Sequence, residues 1–287
     1  YVTVDGKTMI SGSRMTIIAG VFSVLAIICY LLCFNMVQER VQLATKNDKL
    51  EFSKLIKSIA TNRSLMGIIA AALMLLLSQL TMSGMSSYVY PNYYGSAAAQ
   101  SVSSLVGMLG TLLICAPTAV KIAQKIGKKE LSTIAAIGGA ASYLICFIVR
   151  PSNPFVYVAF AAVATICMGY FNTVVWAMIT DVIDDTEVRT GVREDGTVYS
   201  VYSFARKLGQ AISSGLVGGL LSMIGYTEAT AFDPAVTSKI FNLACLAPFV
   251  GFVLLALILI FLYPLNKSKV EENVATLAAR REGLSNN

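Results

Sequence analysis

Long stretches without a charged side chain recur along the 287-residue chain and are separated by short polar segments. About 20 apolar residues of helix cross the ~30 Å hydrocarbon core of a bilayer, so such stretches predict membrane-spanning helices. Charge-free windows cover residues 15–38, 64–120, 131–149, 155–180 and 240–264, and a further helix is predicted from about 197 to 225. The window 64–120 is too long for one helix, and a turn cluster at residues 91–96 divides it. The pattern therefore predicts an all-α polytopic membrane protein with about seven transmembrane helices.

Composition agrees with a protein whose solvent is lipid. Apolar residues make up 56% of the chain and charged residues 13%, whereas soluble domains carry about 25% charged residues. The chain has no histidine, the commonest general base and proton relay. All six cysteines fall inside apolar runs, where we interpret them as small buried hydrophobes rather than disulfide or metal ligands. We therefore expect neither an enzyme nor a protein that holds a cofactor or a metal.

The formal net charge of +6 is distributed unevenly. Sixteen Lys and Arg residues lie in alternate connecting segments and in the tail, and only four lie on the opposite side. Basic loops face the cytoplasm, so this asymmetry predicts an external N-terminus and a cytoplasmic C-terminus in a plasma membrane (a bacterial inner membrane). The basic excess is a topology signal, and no nucleic-acid partner is expected.

The basic connector at residues 39–63 has apolar residues at helical spacing among its lysines. This pattern predicts an amphipathic helix along the membrane surface, with a partner-docking helix as the alternative. Small residues recur inside the spans, and we interpret them as sites of close helix packing. The glycine pairs are Gly107 with Gly110, Gly138 with Gly139, and Gly215 with Gly219.

A lysine is predicted deep inside the membrane. If Asp195 is an N-cap and a helix begins near Thr197, Lys207 lies about 15 Å along it, close to the bilayer midplane. One polar stripe contains Ser203, Lys207, Gln210 and Ser214. Intramembrane lysines cost at least about 3 kcal/mol on insertion scales and mark substrate paths or ion pairs. The alternative is that Lys207 snorkels to the cytoplasmic interface, which is the favoured interpretation for Arg206.

Two further polar stripes lie on neighbouring helices. One contains Asn172 or Thr173, Trp176 and Thr180, and Trp176 either stacks on a sugar ring or packs between helices. The other is a hydroxyl-rich face that lines a cavity or only bonds to its neighbours. Its residues are Ser78, Gln79, Ser83, Ser86, Ser87, Tyr88 and Tyr90.

Opposed charges follow the predicted span 155–180. The acidic residues Asp181, Asp184 and Glu187 stand close to Arg189 and Arg193. Such charges form a cytoplasmic gate that closes in one state and breaks in another. The alternative is a solvated loop with weak surface pairs.

The segment 181–209 resembles the glycoside–pentoside–hexuronide:cation symporter family of the major facilitator superfamily, the group that includes the melibiose carrier. That family carries roughly D-x-x-D-x-x-E, then T-G-x-R-x-x-G, then Y-S with a Phe and K-x-G. The matching residues are Asp181, Asp184, Glu187, Thr190, Gly191, Arg193, Gly196, Tyr199, Ser200, Phe204, Lys207 and Gly209. Weaker similarities are Asn62-Arg63, Tyr93 to Gly95 and Gly127 to Lys129.

The resemblance implies two six-helix bundles with the substrate between them, moving by alternating access. The chain, which begins with Tyr1, would then be a fragment lacking the first five helices. Residues 1–38 would hold an external segment and the last N-terminal helix, 39–63 the connector, 64–266 the C-terminal six-helix bundle, and 267–287 a cytoplasmic tail. A coupling cation, Na⁺ or H⁺, is expected to bind in the missing N-terminal half.

The resemblance also implies a substrate site. Lys207 matches the sugar-binding lysine of the eleventh helix, with Tyr202 and Ser203 at sugar-facing positions, and Gln210, Asn172 and Trp176 complete the candidate set. The leading hypothesis is a sugar or glycoside:cation symporter whose partners are the bilayer, the sugar and the cation. A seven-helix receptor with an external N-terminus is the alternative, and an intramembrane enzyme lacks the necessary residues.

Overall fold

The computed structural model describes residues 2–4, 7–9, 12–36, 62–227 and 229–285. The chain divides into two compact units, residues 1–50 and 51–287. The first contains a short antiparallel hairpin, β1 Val2–Val4 and β2 Lys7–Met9, followed by helix α1 Gly12–Met36. The connector predicted at residues 39–63 lies, apart from its last two residues, outside the described part of the chain.

The second unit is a helical bundle. Its elements are α2 Arg63–Tyr88 with a π-helical end Val89–Tyr93, α3 Ala97–Gly110, a π-helical turn Thr111–Cys115, α4 Ala116–Ile126, α5 Lys128–Val149, α6 Pro154–Thr190, α7 Asp195–Met223, α8 Pro234–Leu257 with a π-helical end Ile258–Leu262, and α9 Lys267–Ser285. The all-α polytopic prediction is confirmed.

Within the described residues, six helices are long and apolar enough to cross a membrane. They are Thr16–Met36, Arg63–Tyr93, Ala97–Ile126, Lys128–Val149, Pro154–Thr190 and Pro234–Leu262. The seventh predicted span is α7, whose 29 residues are long enough at 1.5 Å each. It is not among the six because serines, a glutamine and two cations lower its hydropathy.

The break predicted near residues 91–96 is confirmed. Gly95 adopts a positive φ of 63°, which glycine reaches without strain, and the Ser96 hydroxyl caps α3 by accepting from the Ala99 amide. The end of α6 was predicted wrongly, since the helix continues ten residues past Thr180 to a left-handed Gly191. Asp195 is not the N-cap of α7 either, because Glu194 occupies that position without a side-chain bond.

Close packing at glycines is confirmed for two of the three predicted pairs. A Cβ on Gly139 would lie 2.8 Å from Phe252, and a Cβ on Gly107, Gly110 or Gly138 would lie 2.7–3.2 Å from side chains of α6. A Cβ on Gly215 or Gly219 would meet no atom of the described residues within 4 Å, so among these residues the third pair makes no close helix contact. They lie on an open face of α7.

The close approach of Gly67 to the backbone of Tyr263 predicts a stability effect. Replacing Gly67 by alanine would place a Cβ 2.8 Å from the Cα of Tyr263, and backbone cannot rotate away. We expect the G67A substitution to cost about 1–3 kcal/mol, because overpacking forces helices apart. The thermal unfolding midpoint in detergent measures this. The matched variant G219A should leave it unchanged or raise it slightly, and equal behaviour of the two would contradict the packing.

Candidate functional site

An aromatic and cationic cluster joins α6 to α7. Trp176 on α6 is 49% exposed, and its ring meets Tyr202 edge-on at 5.5 Å and stacks near Tyr199 at 6.5 Å. The Arg206 guanidinium lies 5.7 Å from the Trp176 ring and 5.8 Å from Tyr202, and it donates to the Tyr202 hydroxyl at 3.3 Å. We call Trp176, Tyr199, Tyr202 and Arg206 the aromatic cluster.

Arg206 is the residue that sequence reasoning missed in this cluster. The sequence favoured a side chain that reaches the membrane interface, whereas in the structure Arg206 is half-buried against the rings of Trp176 and Tyr202. Its spacing of four from Tyr202 was the available signal, since residues i and i+4 meet on one helix face. Tyr202 is itself fully buried, so it holds Trp176 and Arg206 in place rather than lining the open face.

The predicted polar stripe of α7 lies beside this cluster. Lys207 and Ser203 are exposed, Gln210 is half-buried, and the Ser214 hydroxyl donates to the Gln210 carbonyl. Within the described part of the chain, the Lys207 ammonium has no ion-pair partner. Asn172 is half-buried one helical turn before Trp176. Exposed side chains of two packed helices are therefore the Trp176 ring on α6 and Lys207 and Ser203 on α7.

Charged residues form a second cluster at the end of α6. Arg193 bonds to Asp184, Glu187 and Asp195, each at 2.9 Å. Hydrogen bonds, first that to Glu187, raise the pKa of Arg193 above its ordinary value, so it stays protonated. We call Asp184, Glu187, Arg193 and Asp195 the inner-end cluster. Arg281 of α9 also approaches Glu187, at 3.6 Å.

Asp181, the fourth predicted gate residue, lies apart from the inner-end cluster. Its side chain is buried and pairs at 2.6 Å with Lys128, at the start of α5. The alternative of a solvated loop is wrong here, since Asp181 lies on a helix and is 6% exposed. The acidic segment thus ties α6 to α5 as well as to the turn before α7.

Asp185 is a buried centre that the sequence did not single out. Its carboxylate accepts from the Ser64 hydroxyl at 2.7 Å and the Asn273 amide at 3.2 Å, with Arg189 Nε at 3.8 Å. The residue is 5% exposed and links α2, α6 and α9. Its spacing of four from Asp181 was the signal, since it places both carboxylates on one face.

The segment predicted as a cytoplasmic tail is helix α9, which packs on the end of α6. Arg280 donates to the carbonyls of Glu187 and Val188. Both carbonyls lie in the last turn of α6, where that of Glu187 also accepts from the Gly191 amide, and a cation there suits the helix dipole. The tail therefore stabilises the end of α6 that carries the inner-end cluster.

The hydroxyl-rich face of α2 lines a cavity of about 260 Å³ between α2, α3 and α6. Five predicted residues line it, namely Gln79, Ser83, Ser86, Ser87 and Tyr90. Gln100, Ser103 and Ser104 of α3 face them, and Gln100 donates to Ser87 at 3.3 Å. The two remaining predicted residues differ, because Ser78 is buried against Met74 and Tyr88 packs on Tyr226. We call this space the polar cavity.

No group of His, Cys, Asp and Glu in the described residues has the arrangement of a metal site. Comparison with known proteins matches residues 2–267 to the model of the family described as MFS/sugar transport protein. The glucuronide carrier protein homolog of Escherichia coli (strain K12) is 31% identical over 91% of this chain and 57% of its own length. The uncharacterized symporter YjmB of Bacillus subtilis (strain 168) is 27% identical over the same shares.

A third relative is the putative sulfoquinovose importer of Escherichia coli (strain K12), 31% identical over 56% of this chain and 33% of its own length. The E. coli glucuronide carrier homolog and the B. subtilis symporter YjmB each match 91% of this chain. The chain itself spans 57% of the length of each of them.

Proposed function

The chain belongs to the MFS/sugar transport protein family, and from this premise we propose that it forms part of a secondary transporter that carries a sugar or glycoside together with a cation. The resemblance found in the sequence is confirmed by this membership. The relatives are a carrier, a symporter and an importer, so the receptor alternative is not favoured. This chain spans 57% of the length of the first relatives, and in this proposal the transporter also contains a second bundle that faces this one.

The observation that carries the proposal is the half-exposed Trp176 ring with the Arg206 guanidinium beside it. An aromatic face matches the apolar C–H face of a pyranose ring, and the indole of Trp176 is held by Tyr202 and Arg206. Lys207 and the polar residues Ser203, Gln210 and Asn172 then supply hydrogen bonds to the sugar. In this proposal the second bundle covers the open face of α7 and encloses the ligand.

The charge of this face favours an acidic sugar. Arg206 and Lys207 are adjacent, and neither has a carboxylate partner among the described residues. Two cations in a low-dielectric site attract a carboxylate or sulfonate strongly, whereas a neutral sugar gives them no counter-charge. The names of two relatives refer to a glucuronide and to sulfoquinovose, both of which are acidic sugars. We therefore propose an acidic glycoside as substrate.

The inner-end cluster serves as the cytoplasmic gate in this proposal. Asp184, Glu187 and Arg193 close the end of α6, and alternating access requires such contacts to form in one state and break in another. The orientation is that of the basic loops, with the C-terminus in the cytoplasm of a bacterial inner membrane. The coupling cation, Na⁺ or H⁺, binds outside this chain, in the facing bundle.

Uptake by the full-length transporter in membrane vesicles tests the proposal. We expect an acidic glycoside to accumulate when a Na⁺ or H⁺ gradient is applied, and a neutral analogue to accumulate less. Vesicles without the protein are the control. If neither the acidic glycosides nor their neutral analogues are taken up, the transporter assignment is overturned. Uptake that is unchanged when both gradients are collapsed would overturn the cation coupling alone.

A further inference from the structure

The polar cavity lies away from the aromatic cluster. Thr165 lines the cavity and stands 11 residues before Trp176 on α6, which corresponds to about 16 Å along the helix. The other lining residues lie in the second half of α2, in its π-helical end and in α3, on the two sides of the turn at Gly95. The cavity is thus near the end of the bundle opposite to the inner-end cluster.

Several polar groups in the cavity lack partners. The Tyr90 hydroxyl is fully buried and forms no hydrogen bond of normal geometry, although Ser103 lies close to it. The side chains of Gln79 and Ser83 also bond to no described residue. A buried hydroxyl without a partner costs about 1–3 kcal/mol in a protein interior. Of these groups only the Tyr90 hydroxyl is fully buried, whereas Gln79 is half-buried and Ser83 is exposed. A buried, unpartnered hydroxyl at the wall of a cavity points to a ligand or water that completes it.

The chemistry of the lining selects the ligand. The cavity is lined by hydroxyls, side-chain amides, methionines and Gly107, without any charged side chain. Residues 64–120 contain no Asp, Glu, Lys or Arg at all, so a charged ligand group would find no counter-charge on these helices. Hydroxyls and amides both donate and accept, which suits the hydroxyl groups of a sugar. The volume of about 260 Å³ far exceeds the ~10–15 Å³ that one water needs.

Polar side chains in spans face the bundle interior or a water-filled cavity, since lipid cannot satisfy them. We propose that the polar cavity is a second substrate subsite, which binds the neutral, hydroxyl-bearing part of the glycoside through Tyr90, Gln79, Ser83 and Ser103. This inference rests on the proposed function and adds a subsite for hydroxyls to the acid-binding site at Trp176.

Transport kinetics of the full-length protein test the subsite. We expect Tyr90→Phe and Ser103→Ala each to raise KM about three- to tenfold with little change in kcat, as for loss of one neutral hydrogen bond. The matched controls are Tyr88→Phe, which packs on Tyr226, and Ser101→Ala, an exposed position of α3 that does not line the cavity. Both should keep the wild-type KM.

A second measurement separates ligand binding from structure. Tyr90→Phe removes a buried unpartnered hydroxyl, so the thermal unfolding midpoint should stay or rise while KM rises. For a deoxy analogue lacking the hydroxyl that Tyr90 binds, Tyr90→Phe and wild type should show the same KM. If wild type transports but the cavity variants match their controls, the subsite is wrong and the proposed function stands. If wild type transports no glycoside, both fail.

Discussion

Replacing Lys207 by alanine is expected to abolish transport of the acidic glycoside. Lys207 is exposed on α7, follows Arg206 of the aromatic cluster in sequence, and has no acidic partner in the described part of the chain. Truncating one member of an enclosed charge pair costs about 2–5 kcal/mol, much of which is the penalty of leaving the other charge unpaired. That corresponds to a loss of about 30-fold to more than 1,000-fold in affinity.

Initial uptake rates across a panel of acidic and neutral sugars measure this effect. Lys207→Arg keeps the charge but not its geometry, so it should retain part of the uptake of the acidic sugar. Lys239→Ala, at an exposed position of α8, is the control for loss of one positive charge. Wild-type uptake by Lys207→Ala across the whole panel would remove Lys207 from the site.

Replacing Arg193 by glutamine is expected to slow turnover more than it weakens substrate binding. Arg193 bonds to three carboxylates of the inner-end cluster but is itself 38% exposed, so solvent weakens each pair. Together the contacts are worth about 1–2 kcal/mol after this discount. Their loss would shift the balance of open and closed states about five- to thirtyfold, which limits the rate of alternation.

The measurement is kcat and the equilibrium binding constant of the same substrate in the same preparation. Asp184→Asn should act in the same direction with a smaller effect, because Arg193 keeps Glu187 and Asp195. Lys269→Gln on α9 is the matched control, since its ion pair with Glu272 is outside the cluster. A change confined to the binding constant would show that the inner-end cluster is no gate.

The membrane class was predictable from sequence because lipid imposes one strong constraint. Every spanning helix must keep its backbone bonded and its surface apolar, so the windows at 131–149 and 240–264 stand out from composition alone. The end of α6 was not predictable in this way. Charged residues after Thr180 resemble a loop, yet Asp181 and Asp185 remain helical because Lys128, Ser64 and Asn273 pair with them.

Local spacing likewise identified Trp176 and Lys207 as candidates but misjudged their neighbours. Arg206 and Lys207 are adjacent in sequence, but the rotation of the helix between them gives their side chains different directions. Arg206 lies on the Trp176 ring, and Lys207 is exposed. Tyr202 matched a sugar-facing position of the family, yet the packing of α6 against α7 buries it. Which side of a helix faces a neighbour depends on the packing partner, and a single sequence does not contain that information.

By itself, the sequence therefore determined the all-α membrane class, because hydrophobicity alone identifies spans. Its motif between Asp181 and Gly209 carried the family resemblance and, through it, the proposed sugar-binding residues. The tertiary structure alone decided that Arg206 joins the aromatic cluster, that Asp185 links three helices, and that the hydroxyls of α2 and α3 surround one cavity. These contacts join residues up to 121 positions apart, and only the packing of the bundle brings them within hydrogen-bonding distance.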